Sequence, residues 1–388
     1  MSSRPISDTI RSIAPEDADR TASNHPVGEG AGSPSVVVGM SGGVDSATAA
    51  LLLKRNGFRP HGAMLNLLAP KTTRSETGGI ETESDAARDI CMCLDIPFTE
   101  IACASLFERA VIEAFCDAYL AGATPNPCIT CNRHVKFAQL HSFRRALGYD
   151  YVATGHYARI DYDDARGRYL LKCGADRTKD QSYVLYNLTQ DDLAHTLFPL
   201  GAITKDEVRR IALDAGFQNA QKPESQDICF IPEGNYASFI ESWRGCSFEP
   251  GPILDVAGNR LGTHQGLARY TIGQRKGIGI AAAEPLYVRE KDPINNALIV
   301  GTAAQAVCRH IEVDDFNFIA CEYLKEPIKA LVKTHYRQTP IPCSVEQQAD
   351  RHVRITFDAP QRACATGQAA VVYVDDCVIG GGTIIAAQ

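Results

Sequence analysis

Val36-Val37-Val38-Gly39-Met40-Ser41-Gly42-Gly43-Val44-Asp45-Ser46 decides the fold, because it joins a strand, a glycine turn and the opening of a helix in one short run. Three consecutive β-branched residues suit a strand covered on both faces. Gly42 and Gly43 remove Cβ atoms and let backbone N–H groups approach an anion. Ser46 opens a helix through Ala47, Ala50, Leu51 and Leu53 to a stop at Gly57, so the positive end of the helix dipole faces the loop. Together these parts make a phosphate cradle. It lacks the lysine of G-x-x-x-x-G-K-[ST], so it is not built to grip a γ-phosphate in that manner.

Outward from this loop, strands and helices alternate. Pro60–Leu68 is expected as a strand, Ser84–Leu94 as a helix, Pro97–Ala102 as a strand and Leu106–Leu120 as a helix. A helix is expected from Asn132 to Leu147 and a strand at Tyr151–Thr154 that ends at Gly155-His156-Tyr157. This alternation predicts a doubly wound parallel sheet with ligands at the carboxyl ends of its strands. A hairpin is expected around Asp161–Gly167, and Thr204-Lys205-Asp206-Glu207 has capping-box spacing for a helix that stops at Gly216. Short strands punctuated by glycine from Leu286 to Ile385 suggest a small β-barrel. The expected domains are a disordered tail over residues 1–34, an α/β domain with the phosphate cradle over 35–205, a small central domain over 206–285 and a barrel over 286–388.

A chain of 388 residues exceeds what one core usually encloses. No apolar run is long enough to span a bilayer and the first thirty residues carry no apolar core region, so neither secretion nor membrane insertion is expected and the place of action is read as cytoplasmic. The net charge of −7 gives no global pull toward nucleic acid, so an RNA site must be local. His264–Ala283 is one such stretch: it has Arg269, Arg275 and Lys276, no acidic residue, and Tyr270 for stacking.

Fourteen cysteines without a secretory leader point to a reducing compartment, where most are small buried hydrophobes. Cys91, Cys93, Cys103, Cys116, Cys173, Cys246, Cys308, Cys321, Cys343, Cys364 and Cys377 lie in apolar strand-like or helix-like surroundings. Cys128, Cys131 and Cys229 do not. Cys131 precedes the helix expected at Asn132, whose dipole would favour the thiolate. Cys229 follows Asp227 on a polar turn between Pro223 and Pro232. By spacing alone, Cys128-x-x-Cys131 also fits a structural or redox pair or half of a zinc site, and Cys229 a buried structural thiol.

The loop Ser41-Gly42-Gly43-Val44-Asp45-Ser46 resembles the S-G-G-x-D-S loop of the PP-loop ATP pyrophosphatases, of the adenine nucleotide alpha hydrolase-like fold. With Thr124–Asn132, Ala153–Tyr157, Lys179–Tyr183, Ser225–Phe230, Thr271–Gly279 and Tyr336-Arg337-Gln338, the chain resembles the tRNA-specific 2-thiouridylases, the MnmA/TrmU family. The resemblance implies ATP-dependent 2-thiolation of the wobble uridine in tRNAs of the Glu, Gln and Lys type. It places ATP, with Mg²⁺, on Gly39, Met40, Ser41, Gly42, Gly43, Val44, Asp45, Ser46, Leu65 and Gly155. It places tRNA on Asn126, Pro127, Cys128, His156, Lys179, Asp180, Gln181, His335, Tyr336 and Gln368. Uridine O2 would be adenylated, and a persulfide on Cys229, loaded by a sulfur-carrier protein fed by a cysteine desulfurase, would deliver sulfur. Cys131 would resolve the intermediate as a Cys131–Cys229 disulfide.

Two departures from the family pattern stand out. Many members carry Asp where this chain has Cys128, and a thiol of pKa about 8.5 is a poor substitute for a carboxylate. The change creates a three-thiol set, Cys128, Cys131 and Cys229, that could hold a [4Fe-4S] cluster with one iron open to sulfide. In the Leu65–Glu83 segment, Leu65-Asn66-Leu67-Leu68-Ala69-Pro70 replaces the family's usual run, although adenine contacts through the Leu65 backbone need no particular side chain. Two other readings compete: another PP-loop adenylating synthetase or amidotransferase, and a non-catalytic tRNA-binding scaffold.

Overall fold

The computed structural model describes residues 33–68, 73–74, 80–217, 228–231 and 235–388. Most of the expected tail, and Ser225, Gln226 and Asp227 of the Cys229 motif, lie outside the described residues. The chain divides into two compact units, Met1–Phe107 with Cys131–Glu224, and Glu108–Thr130 with Ser225–Gln388.

The first unit holds strands β1 (Ser35–Gly39), β2 (Arg59–Asn66), β3 (Phe98–Ala102), β4 (Tyr151–Ala153), β5 (Ala158–Asp163), β6 (Arg168–Cys173) and β7 (Thr196–Leu197). Its longer helices are α1 (Val44–Arg55), α2 (Glu83–Cys93), α3 (Phe137–Leu147) and α4 (Lys205–Asp214). Five strands pair in parallel in the order β3-β2-β1-β4-β7. The order reverses at β1, which puts a topological switch point at the carboxyl end of that strand. The β-branched run is covered on both faces, as its lack of alternation predicts. Val36 and Val38 pack with Ala47, Ala50 and Leu51 of α1 and with Val208 and Ile211 of α4. Val37 faces the other way, with Ala63, Val152 and Leu140 of α3. Burial of each such aliphatic side chain contributes roughly 1.5–3 kcal/mol. β5 and β6 form the expected hairpin, and Thr204 and Glu207 form the expected capping box.

The helix expected at Asn132 begins earlier. One helical run extends from Pro127, through a π-helical segment at Asn132–Lys136, to the end of α3 at Leu147. Pro127 takes the first helical position, where a missing N–H costs nothing, and Asn126 Oδ1 accepts from the Cys128 N–H at 3.2 Å as the cap. Cys131 therefore lies inside the run and not ahead of it. The N-terminal dipole falls on Cys128 instead.

In the second unit, helix α5 (Tyr236–Arg244) precedes a four-stranded sheet of β8 (Gly251–Leu254), β9 (Arg260–His264), β10 (Tyr287–Asp292) and β11 (Ala297–Gly301), in the order β9-β8-β11-β10. Six strands follow: β12 (Val307–Phe318), β13 (Ile328–Lys333), β14 (Ile341–Ala349), β15 (His352–Arg362), β16 (Ala369–Val374) and β17 (Cys377–Ala387). They run β12-β15-β14-β13-β16-β17, and β17 pairs back onto β12 to close a barrel. Closure removes both sheet edges. Ile311, Val313, Val332, Val345, Ile355 and Val372 belong to its core.

Candidate active site

At the carboxyl end of β1 the chain turns through Met40–Gly43 into α1. Gly42 has φ +70°, and a Cβ there would stand 2.8 Å from the Glu83 carbonyl oxygen. Only glycine fits this turn. The Ser46 hydroxyl donates to the Gly43 carbonyl at 3.0 Å and accepts from the Ser41 N–H at 3.2 Å, which fixes the loop against the helix it feeds. The N-cap of α1 is Gly43, which offers no side chain to the first-turn N–H groups. Such uncapped donors at the positive end of a dipole suit a phosphate.

Behind the loop lies a charged node that sequence reading missed. Lys205, 4 % exposed, donates to both Asp45 carboxylate oxygens at 2.7 and 2.8 Å. Tyr157 donates its hydroxyl to Asp45 Oδ1 at 2.8 Å, and the Lys205 ammonium lies 5.7 Å from the centre of the Tyr157 ring. Gly155, expected as a nucleotide contact, has a packing role in the structure. A Cβ on it would stand 2.8 Å from the Asp45 carbonyl carbon and 3.0 Å from the Ser46 nitrogen, so its bare backbone is what lets β4 approach the start of α1.

The segment expected to touch tRNA is fastened to the same node. The Gln181 side-chain oxygen accepts from the Tyr157 N–H, and the Gln181 N–H donates to the Tyr157 carbonyl, both at 2.9 Å. Asp180 accepts from the Gly174 N–H and from the backbone and hydroxyl of Ser182. These groups build the loop that presents Lys179. His156 bonds to Thr154 Oγ1 at 2.8 Å and packs against the rings of Phe137 and Phe198. Desolvation, with the Lys136 charge second, pushes its pKa down to about 3, so it meets any partner as a neutral ring. Met40 is buried and Leu65 stands near the end of β2.

In the second unit, Cys128 is exposed on the first turn of its helix, whose approach is anchored on the barrel. The Gln368 side-chain amide donates to the Thr124 carbonyl at 2.8 Å, and the Thr124 N–H donates to the Thr366 carbonyl at 2.8 Å. Gln368, expected at tRNA, thus holds the segment that carries Asn126, Pro127 and Cys128. Cys229 is exposed on a turn whose next two residues, Phe230 and Ile231, are buried; Phe230 packs on Phe115 and Phe239. Cys131, in the first unit, is buried. His335 and Tyr336 are exposed next to Lys333, whose ammonium lies over the Tyr336 ring. Desolvation, then the Lys333 charge, lowers the His335 pKa.

Three expectations need correction. Tyr270 is 6 % exposed and cannot stack on a base, and Arg269 pairs with Glu241 at 2.7 Å, which reduces the basic stretch to exposed Arg275 and Lys276. Cys93 and Cys246 are exposed, not packed inside. The other cysteines read as bland fit that reading better: burial pushes Cys91 up to about 11 and Cys343 to about 12, which keeps both as thiols. No disulfide joins the fourteen cysteines, all of which are described. Among the described residues no group of three or more His, Cys, Asp or Glu side chains is gathered to hold a metal, and no helix is long and apolar enough to cross a membrane.

Three family models match in succession: a "tRNA methyl transferase HUP domain" over residues 34–233, a "tRNA methyl transferase PRC-barrel domain" over 238–302 and an "Aminomethyltransferase beta-barrel domain" over 308–384. Among curated relatives, the tRNA-specific 2-thiouridylase MnmA of Moorella thermoacetica is 48% identical over 90% of this chain and 98% of its own length. The proteins of that name from Heliobacterium modesticaldum and Clostridioides difficile are 45% and 42% identical, over 90% of this chain and 92% and 97% of theirs.

Proposed function

This chain belongs to the tRNA-specific 2-thiouridylase family, and from that membership we propose that it uses ATP to exchange the C2 oxygen of a tRNA wobble uridine for sulfur. The observation that carries the ATP half is the uncapped start of α1 behind Ser41–Ser46, at the switch point of the sheet. There the β- and γ-phosphates would sit as a leaving group while uridine O2 attacks the α-phosphate. That attack forms the O2–phosphorus bond, breaks the bond to pyrophosphate and makes O2 part of a good leaving group, AMP.

Sulfur then follows from the thiols. A carrier persulfide loads Cys229, exposed on its turn. The terminal sulfur attacks C2 and AMP departs, so C2 is joined through that sulfur to the Cys229 Sγ. The Cys131 thiolate attacks the Cys229 Sγ, the sulfur leaves with C2 as 2-thiouridine, and both electrons come from the two thiols, which end as a disulfide. An external dithiol restores them. Cys128, in the first turn of its helix, stands among the expected tRNA contacts with Asn126 and Pro127, and Lys179, His335 and Tyr336 would add contacts to the backbone and bases.

Mg²⁺ would neutralise the leaving pyrophosphate, but both carboxylate oxygens of Asp45 are held by Lys205. A [4Fe-4S] cluster would take Cys128, Cys131 and Cys229 as its ligands.

The test is to incubate the full chain with ATP, Mg²⁺, a persulfide donor and unmodified glutamate tRNA, and to read nucleosides by mass spectrometry. The expected product is 2-thiouridine, lost in Cys131→Ala and Cys229→Ala while tRNA-dependent pyrophosphate release persists. Pyrophosphate release with AMP transfer to a small acceptor, without tRNA, would favour a different adenylating enzyme. A methylated nucleoside formed only with S-adenosylmethionine would favour the activity that the family-model descriptions print.

A further inference from the structure

The reaction scheme leaves Lys205 without a task, although it is one of the few ionic side chains buried in the first unit. Its ammonium is bonded to both oxygens of Asp45, the carboxylate in the first turn of α1. That position is awkward for an anion site. A carboxylate in the first turn stabilises a helix on its own, but in front of incoming phosphates it repels them and competes for the same donors. Removing the carboxylate from solvent would not help unless its charge is matched. Lys205 supplies the match, and Tyr157 adds a hydroxyl to Asp45 Oδ1.

The node also reaches outward. The Lys205 N–H donates to Asp176 Oδ2 at 3.1 Å, and the Tyr157 backbone is bonded twice to Gln181. A chain of bonds therefore runs from Asp176 through Lys205, Asp45 and Tyr157 to Gln181, and both ends lie in the 176–181 loop. One ion pair registers the phosphate loop and that loop to each other.

Resting on the reading of Ser41–Ser46 as an ATP site, we propose that Lys205 is a positioning residue for adenylation: it cancels the Asp45 charge at the start of α1 and holds the carboxylate aside, so that the helix terminus stays attractive to the triphosphate. Lys205 acts through Asp45 and does not itself touch the nucleotide.

The charge logic gives a test that a scaffold role would not satisfy. ATP binding is measured by calorimetry on the full chain in EDTA, so that no divalent ion can bridge Asp45 to phosphate, with folding checked by thermal melting. Lys205→Met should weaken ATP by about tenfold or more, because it leaves a bare carboxylate beside the phosphates. Adding Asp45→Asn to Lys205→Met should recover most of that loss, and Asp45→Asn alone should tighten metal-free ATP. If Lys205→Met does not fold, Asp45→Asn, which is nearly isosteric, carries the test. Weaker binding by Asp45→Asn, or no recovery in a folded double variant, would overturn the proposal while wild-type ATP binding keeps the functional reading intact. A wild-type chain that binds no ATP would overturn both.

Discussion

Helices α2 and α4 close their own N-termini, and α1 does not. Thr82 and Asp85 form a capping box at α2, and Thr204 and Glu207 form one at α4. At the start of α1 stands Gly43, with no side chain to bond the first-turn N–H groups. All three helices belong to the same unit, so the difference is local chemistry. A helix that caps itself is complete without a ligand; one that opens on glycine leaves its donors for something else.

The sharpest way to break this contrast is to give α1 a cap. Gly43 has φ −87° and ψ 163°, which any residue can adopt, and its Cβ would meet only Ser41 Oγ, at 3.3 Å. Gly43→Asp should therefore fold and raise the melting temperature. Its carboxylate should fill the anion site and lower ATP affinity by about a hundredfold, read by calorimetry. Unchanged affinity would mean that the phosphates sit elsewhere.

A smaller effect is expected from Gly155→Ala. Its methyl group meets backbone at the start of α1, which cannot swing aside. Overpacking of this kind costs about 1–3 kcal/mol of stability, seen as a lower melting temperature, and by displacing the start of α1 it should also raise the ATP dissociation constant, by roughly tenfold. Thr82→Ala separates the two readouts. Loss of that cap should remove about 1 kcal/mol of stability, or roughly 2–4 °C in melting temperature, and leave ATP affinity where it was.

The gentlest probe is pH. Desolvation lowers His156 to about 3, and lowers His141 to about 4 against the opposing pull of Asp192. The unfolded chain protonates both near 6.5, so it binds more protons than the native state below that pH. Stability is then full above about 6.5 and declines as pH falls toward 4. Urea midpoints at pH 7.5 and 5 should differ in that direction, and His156→Phe should shrink the difference.

The parts of this comparison were unequally legible in sequence. The unbroken Val36-Val37-Val38 and the Thr204–Glu207 spacing carry local signals, and both held. The start at Pro127 also has a local signal, an Asn-Pro pair suited to cap and first turn, which a helix starting at Asn132 leaves unused. Lys205 had none. In sequence it is the first-turn lysine of a polar helix start, and only its meeting with Asp45, 160 positions away, buries it. Asp180 and Gln181 were hidden for the same reason: a polar turn facing RNA and one bonded inward to Gly174 and Tyr157 use the same residue types. Closure of β12 onto β17 is likewise a long-range pairing that the regular strand spacing suggests without specifying.

The central claim is that uridine O2 attacks the α-phosphate and leaves with AMP. It is tested most directly with tRNA carrying ¹⁸O at C2 of the wobble uridine, in a single turnover with ATP and a persulfide donor. Mass spectrometry of the released AMP should find one ¹⁸O in its phosphate for each 2-thiouridine formed. Unlabelled AMP beside a thiolated product would contradict the account, because the oxygen would then have left by a route that never joined it to phosphorus.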